Sequence, residues 1–312
     1  MKEYVLNYYP KFKCIAEKCK HTCCAGWEMN IDTDSLNEYK KDASAFSSIL
    51  KRGINFEKSK FKWNKNKRCA FLNKDNLCEI IINLGEKSLC QVCRDHPRFR
   101  SFFNDRTETG LGFCCEHAAK IILSFDGKIE PTLISDDGEQ EELDFNQKNV
   151  LSFRDKALEI IQDRTKDIND RIENLLKICG ANLTECAFNK ILKTFLSFER
   201  LDKNYTKTLK SISPSFIKTT DDKLSHYAEQ FLINGIYRHL SDAEDTMWVR
   251  ARTIACVFSW WIIASIIAAK QTESQNLLEL VVDITRAYSS EVEYSQKNLD
   301  KLYSFCYKFI KI

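Results

Sequence analysis

The sequence predicts a mainly α protein in which an irregular, cysteine-rich N-terminal part precedes a multi-helix C-terminal part. Three observations carry that reading. Ten of the 14 cysteines fall within the first 115 of 312 residues. Beyond residue 145, apolar residues recur at helical spacing with few interruptions. Only four prolines break a chain that is 44% hydrophobic and 29% charged, the balance of a globular, helix-rich protein.

The elements follow in order. Up to residue 131 or so, short helical or extended pieces alternate with the cysteines, as in regions shaped by bound metal. Asp32-Thr33-Asp34-Ser35 reads as a helix start, with Leu36 and Tyr39 following at helical spacing. The run Glu79-Ile80-Ile81-Ile82-Asn83-Leu84-Gly85 reads equally as a short buried strand or a helical turn. After Cys114, the residues from Glu116 to Leu123 read as a short helix stopped near Asp126-Gly127. The acidic stretch 135–144, S-D-D-G-E-Q-E-E-L-D, marks a boundary, so the expected domains are 1–135 and 145–312. Its carboxylates (Asp136, Asp137, Glu139, Glu141, Glu142 and Asp144) suit a solvated interdomain loop better than an attractor for a cationic partner. Helical patterns then cover 145–178, 183–201, 223–240, 246–270 and 275–311, with Ser213-Pro214-Ser215 separating two of them.

Charge and hydropathy limit the partners. A formal net charge of +3 is too small to imply nucleic acid as a partner of the whole chain. One local bias exists between residues 51 and 68. There Lys51, Arg52, Lys58, Lys60, Lys62, Lys65, Lys67 and Arg68 are opposed only by Glu57, with Phe56, Phe61 and Trp63 interleaved. Such a run with aromatics could grip an anionic partner or nucleic acid, but it is expected to be a solvated face whose aromatics point inward, with no nucleic-acid partner. The apolar run 253–269 is short of the roughly 20 residues a membrane span needs, so it is expected to be a buried central helix, with no membrane partner.

The cysteines group as Cys14, Cys19, Cys23 and Cys24, then Cys69, Cys78, Cys90 and Cys93, then Cys114 and Cys115. Thiolates are soft, strongly donating ligands, and thiols this close favour zinc or an iron–sulfur cluster. A disulfide framework needs an oxidising compartment, and the first ten residues show no apolar leader, so a cytoplasmic protein with reduced thiols is expected. Adjacent Cys23 and Cys24 cannot easily bond to each other, their Cα atoms being about 3.8 Å apart. The spacing departs from zinc ribbons and from the three-cysteine loop of radical S-adenosylmethionine enzymes. Cys179, Cys186, Cys256 and Cys306 sit in helical, apolar contexts and are expected to act as small hydrophobes.

These residues resemble a family. Phe12-Lys13-Cys14 through Cys19, His21-Thr22-Cys23-Cys24-Ala25-Gly26-Trp27, Cys69-Ala70-Phe71-Leu72 to Leu77-Cys78-Glu79-Ile80, and Leu89-Cys90-Gln91-Val92-Cys93-Arg94-Asp95-His96-Pro97-Arg98 are similar to the flagellin lysine-N-methylases. That family belongs to a wider group of cysteine-rich, zinc- or iron-chelating proteins. Phe113-Cys114-Cys115-Glu116-His117-Ala118-Ala119 fits a further segment, although Cys115 stands where proline is common. The resemblance implies a [4Fe–4S] cluster and transfer of methyl groups from S-adenosylmethionine to lysines of flagellin. It also implies a ligand set of Cys14, Cys19, Cys23, Cys24, Cys69, Cys78, Cys93 and Cys114, more than the four thiolates a cubane needs. Within it the first knot with Cys93 and Cys114 is favoured, and Cys90 and Cys115 are extras. A non-catalytic zinc- or iron-chelating or electron-transfer protein is the alternative.

Other side chains fill the remaining roles. Arg94 and Arg98 are candidates for pairing with a cofactor carboxylate, or for satisfying loop carbonyls. Glu116 and Asp95 are candidate bases, since a lysine ammonium must lose its proton before it attacks a methyl group. Trp27, with Tyr8 and Tyr9, is a candidate cation–π wall, with core packing the competing job for Trp27. No G-x-G-x-x-G follows a strand; Gly110-Leu111-Gly112 comes nearest, so a cofactor site of unconventional type is expected.

Overall fold

The computed structural model describes residues 1–312 apart from 27, 139–140, 183–186, 214, 216–217, 220, 273–275 and 312. The chain divides into two compact units, Lys13–Arg98 on the one hand and Met1–Phe12 with Phe99–Ile312 on the other. The expected boundary at 135–145 is therefore displaced. Strand pairing is the reason. Lys2–Leu6 pairs in parallel with Arg106–Leu111 and antiparallel with Pro131–Asp136, which ties the start of the chain to the helical unit. A sheet built from ends so far apart in sequence leaves no periodic signal in any one window.

In the unit Lys13–Arg98, helix Thr33–Lys41 starts as expected. Asp32 caps it by accepting from the Ser35 amide (3.0 Å), and its second oxygen accepts from the Gln91 amide (2.8 Å), which joins this helix to the short helix Gln91–Asp95. The ambiguous run after Cys78 is helical, Glu79–Leu84. A small core gathers Met29, Ile31, Leu36, Leu50, Phe61 and Phe71, and Cys69 and Cys90 are buried with them.

In the other unit, a four-stranded sheet lies in the order Arg98–Phe102, Arg106–Leu111, Lys2–Leu6, Pro131–Asp136. Gly110 is required by packing rather than by a phosphate loop, since a Cβ there would stand 2.4 Å from the Phe99 ring. The helical patterns are realised with breaks. The stretch 145–178 is two helices, Phe145–Ile161 and Ile168–Ile178, the second restarted by Asp167, which caps the Asn169 amide at 2.7 Å. The stretch 275–311 holds Leu277–Tyr288 and Gln296–Tyr307, with a π-helical turn Ser289–Glu293 between them. Helix Lys203–Lys210 was not anticipated. Helix Thr246–Lys270 is long and apolar enough to cross a membrane, yet most of it is buried inside this unit, as expected of a central core helix.

Tyr8, a candidate for a cation–π wall, is instead core. It is fully buried, donates its hydroxyl hydrogen to Asn234 and accepts from the Leu111 amide (3.1 Å), while Asn234 donates to the Leu111 carbonyl (3.1 Å). Tyr8→Phe strands the Leu111 amide and the Asn234 carbonyl oxygen, so a loss of about 2 kcal/mol is expected. Urea denaturation checks this; an unchanged midpoint would show that the network contributes nothing.

Candidate metal centre

Backbone pairing brings the thiols of the small unit together. The Cys69 amide donates to the Cys24 carbonyl (2.8 Å) and the Gly26 amide to the Lys67 carbonyl (3.0 Å), so the first cysteine knot lies alongside the residues leading into Cys69. Between Cys69 and Cys78 the chain turns back on itself. Asn73 accepts from the amides of Asp75 and Leu77 (2.9 Å each), Leu72 bridges to Cys78, and the Glu79 amide donates to the Phe71 carbonyl (2.8 Å). Cys90 precedes helix Gln91–Asp95, and Cys93 lies one turn further on, its amide 3.0 Å from the Cys90 carbonyl.

The result is two bonded thiol pairs and two further thiols beside them. A hydrogen bond from Cys23 holds Cys24 down to about 7 against the effect of burial. In the second pair Cys90 is lowered by the bond from Cys93, whose own thiol is pushed up by that bond and by burial. Burial pushes Cys69 up to about 12, and the thiols of Cys24, Cys78 and Cys90 are near enough to raise it further. Cys78 is raised by burial, and it too feels Cys24 and Cys90. Tyr39, raised by burial, also feels Cys90 and Cys93.

Cys24, Cys69, Cys78, Cys90 and Cys93 thus form one neighbourhood drawn from three separate segments. In chemical type and number they fit zinc or a cubane cluster. Among the described residues no three His, Cys, Asp or Glu side chains stand in ligand geometry. Cys90, set aside in the sequence reading, is at the heart of this group and fully buried. Its signal was available in the spacing Cys90-x-x-Cys93. Cys14 is exposed and Cys19 half-buried, and neither packs into the small core.

The remaining candidates are dispersed. Arg94 is exposed on the last turn of helix Gln91–Asp95, and Arg98 donates to its carbonyl (3.0 Å), the loop-satisfying role. Asp95 is half-buried, two residues after Cys93. Trp27, Glu139 and Cys186 lie outside the described residues. Cys179, Cys256 and Cys306 are buried in the helical core, as expected of small hydrophobes. The acidic stretch has structural employment: Asp137 pairs with the N-terminus, Glu142 with Lys148 (2.6 Å), and Asp144 caps helix Phe145–Ile161 by accepting from Gln147 (2.8 Å).

Cys114 and Glu116 belong to the helical unit, where a polar chain unseen in the sequence surrounds them. Burial raises Cys114 to about 12, Arg238 opposes that rise, and its thiol is bonded to Tyr294. Arg238 stacks on Tyr294 (4.9 Å) and on Phe99 (5.8 Å), and pairs with Glu293 at 3.3 Å. Glu293 is bonded to His239 (3.2 Å) and Ser289, and His239 to Tyr303 (2.9 Å). Glu116 begins helix Glu116–Leu123 and lies within electrostatic reach of Arg286. The π-helical turn is what aims Glu293 inward, and such turns often mark functional sites.

No family profile and no solved structure matches the chain. Lysine-N-methylase of Salmonella typhimurium (strain LT2) is 25% identical over 135 residues, 40% of this chain and 34% of that protein. Lysine-N-methylase of Salmonella choleraesuis (strain SC-B67) is also 25% identical, with the same coverage. Flagellar biosynthetic protein FliU of Salmonella muenchen is 26% identical over 135 residues, 40% of this chain and 80% of FliU. The chain therefore matches about a third of the length of the two lysine-N-methylases, and its similarity to all three proteins is confined to a segment.

Proposed function

We propose that this chain is a protein lysine N-methyltransferase that uses S-adenosylmethionine, holds a [4Fe–4S] cluster and acts on flagellin. The observation that carries this reading is the gathering of Cys24, Cys69, Cys78, Cys90 and Cys93 in one small unit. The partial similarity to lysine-N-methylases and to a flagellar biosynthetic protein supports it.

Three of those five thiols would hold the cluster, leaving one of its irons without a protein ligand. When bound, the cluster would supply that open iron as a place to orient the methionine part of the cofactor. The chain's own contribution is to present the substrate amine without its proton, because an ammonium has no lone pair to attack with. Asp95 is the favoured base. It shares a helical turn with Cys93, which keeps proton acceptance within a few residues of the thiols. Glu116, at the start of helix Glu116–Leu123 and within electrostatic reach of Arg286, is the second candidate.

One observation favours a second reading, a structural zinc site. Cys69 and Cys90 are buried in the apolar core of the unit, the closed setting typical of zinc centres that only stabilise a fold. Purification without oxygen separates the two. The first reading expects brown protein with iron and sulfide in cluster ratio, and methyl-lysine on flagellin by mass spectrometry when S-adenosylmethionine is added. Colourless protein with stoichiometric zinc and no methyl transfer would establish the second.

A further inference from the structure

The charge of the chain is divided unevenly between its two units. Lys13–Arg98 carries 17 lysines and arginines against 11 aspartates and glutamates, and the remainder carries 30 against 33. The modest whole-chain charge therefore conceals a basic unit and an acidic one. Within the basic unit the excess is concentrated where Lys58, Lys60, Lys62, Lys65, Lys67 and Arg68 follow one another. Lys60 is paired with Glu28, and Arg68 donates to Asn76 at 2.5 Å. Lys58, Lys62, Lys65 and Lys67 are exposed, and among the described residues no ion pair to them is seen.

The aromatics of this strip do not all point inward. Phe61 is buried at 5% exposure and Phe56 packs on the small core, but Trp63 is 37% exposed. Lys67 lies over the Trp63 ring, 5.8 Å from its centre. It is held in the left-handed backbone region at φ +55, which side chains other than glycine rarely adopt, and its carbonyl is fixed by the Gly26 amide. The fold thus maintains an unfavourable backbone conformation at the residue that joins charge to the exposed indole.

We propose that the strip from Lys58 to Arg68, with Trp63, binds single-stranded nucleic acid. An exposed aromatic face beside a row of cations suits a strand whose bases stack and whose phosphates are neutralised in any register. An acidic protein surface is the weaker fit, because lysine is depleted from protein interfaces while it serves well as a point charge for phosphate. The small net charge and the expectation of inward-facing aromatics do not stand against this partner, because the charge is segregated and Trp63 is exposed.

The test uses the full chain and a labelled single-stranded RNA of about 20 nucleotides, longer than the roughly 4–16 nucleotides one small module covers. Fluorescence anisotropy is followed from about 50 to about 300 mM KCl, and about five phosphate contacts give a log–log slope near −3.5. The triple variant Lys62→Gln, Lys65→Gln, Lys67→Asn should bind at least tenfold more weakly, with a slope shallower by about 2. Trp63→Ala should weaken binding about fivefold or more while leaving the slope unchanged. Lys67→Asn alone keeps a residue that tolerates the left-handed backbone, and it should lose affinity with an unchanged circular-dichroism melt. Absence of binding at the lowest salt, or equal binding by the triple variant, overturns the proposal. Displacement of the RNA by polyglutamate at equal charge concentration overturns it in favour of an acidic protein partner.

Discussion

Cys90→Ser is expected to abolish metal binding and to unfold the unit Lys13–Arg98, while the unit containing the central helix stays folded. The Cys90 thiol is fully buried, precedes helix Gln91–Asp95 and is bonded by Cys93. Beside it, Tyr39 donates to the Ser88 carbonyl (2.6 Å), so the loop that delivers Cys90 is anchored to helix Thr33–Lys41. The apolar core around these thiols is small, and in a unit of this size ligation free energy is largely folding free energy. Losing one thiolate ligand should lower affinity by more than the roughly 10–100-fold that follows loss of an outer partner. Hydrogen exchange read by mass spectrometry reports the two units separately: peptides from 13–98 should lose protection and those from 246–270 should keep it. Cys14→Ser is the contrast. Its side chain is exposed and outside the small core, so metal content should be unchanged. If Cys90→Ser retains metal and protection, the thiols gathered around it are not the ligand set.

What the sequence made legible was local chemistry. Asp32 announces the helix it caps because an Asx cap needs only residues three apart, and the run 246–270 announces a core helix by composition alone. The cysteines announce soft-ligand chemistry, but not which of them stand together. Cys90 is separated from Cys24 by 66 residues, and the two are brought together only through Cys69, whose backbone pairs with that of Cys24 and whose thiol feels both. The division into compact units was hidden for a related reason. An acidic, glycine-containing stretch looks like a linker, but the strand Pro131–Asp136 runs into it and pairs with the first residues of the chain. Breaks in the long helical patterns were hidden because the residues at 162–167 lack glycine and proline, and the restart depends on one aspartate, Asp167. The chain of groups from Cys114 through Tyr294 and Arg238 to Glu293 joins residues more than 50 positions apart, which no motif encodes.

Glu293→Ala is expected to cost about 3–5 kcal/mol, the range seen when one partner of a buried ion pair is removed and the other charge is left uncompensated. The Glu293 side chain is 2% exposed and that of Arg238 is 11% exposed, so neither can turn to water for compensation. Burial alone would raise the carboxyl, but Arg238, the bond to His239 and the bond to Ser289 together hold it down to about 2. Its folded value therefore lies below its unfolded value of about 4.3. A depressed carboxyl contributes stability that is fully present above the unfolded value and is lost as pH falls through the folded one. The separation of about two units corresponds to about 3 kcal/mol at neutral pH, of the same order as the pair estimate. Glu293→Gln retains the shape and one hydrogen-bonding oxygen but has no proton to gain, so its stability curve should be flatter than wild type between about pH 4.5 and 2. Urea unfolding at steps of pH measures both curves. Because every other carboxylate is common to the two proteins, their difference isolates position 293. Parallel curves would mean that Glu293 holds the same proton occupancy folded and unfolded, and that the Arg238 pair contributes no pH-dependent stability.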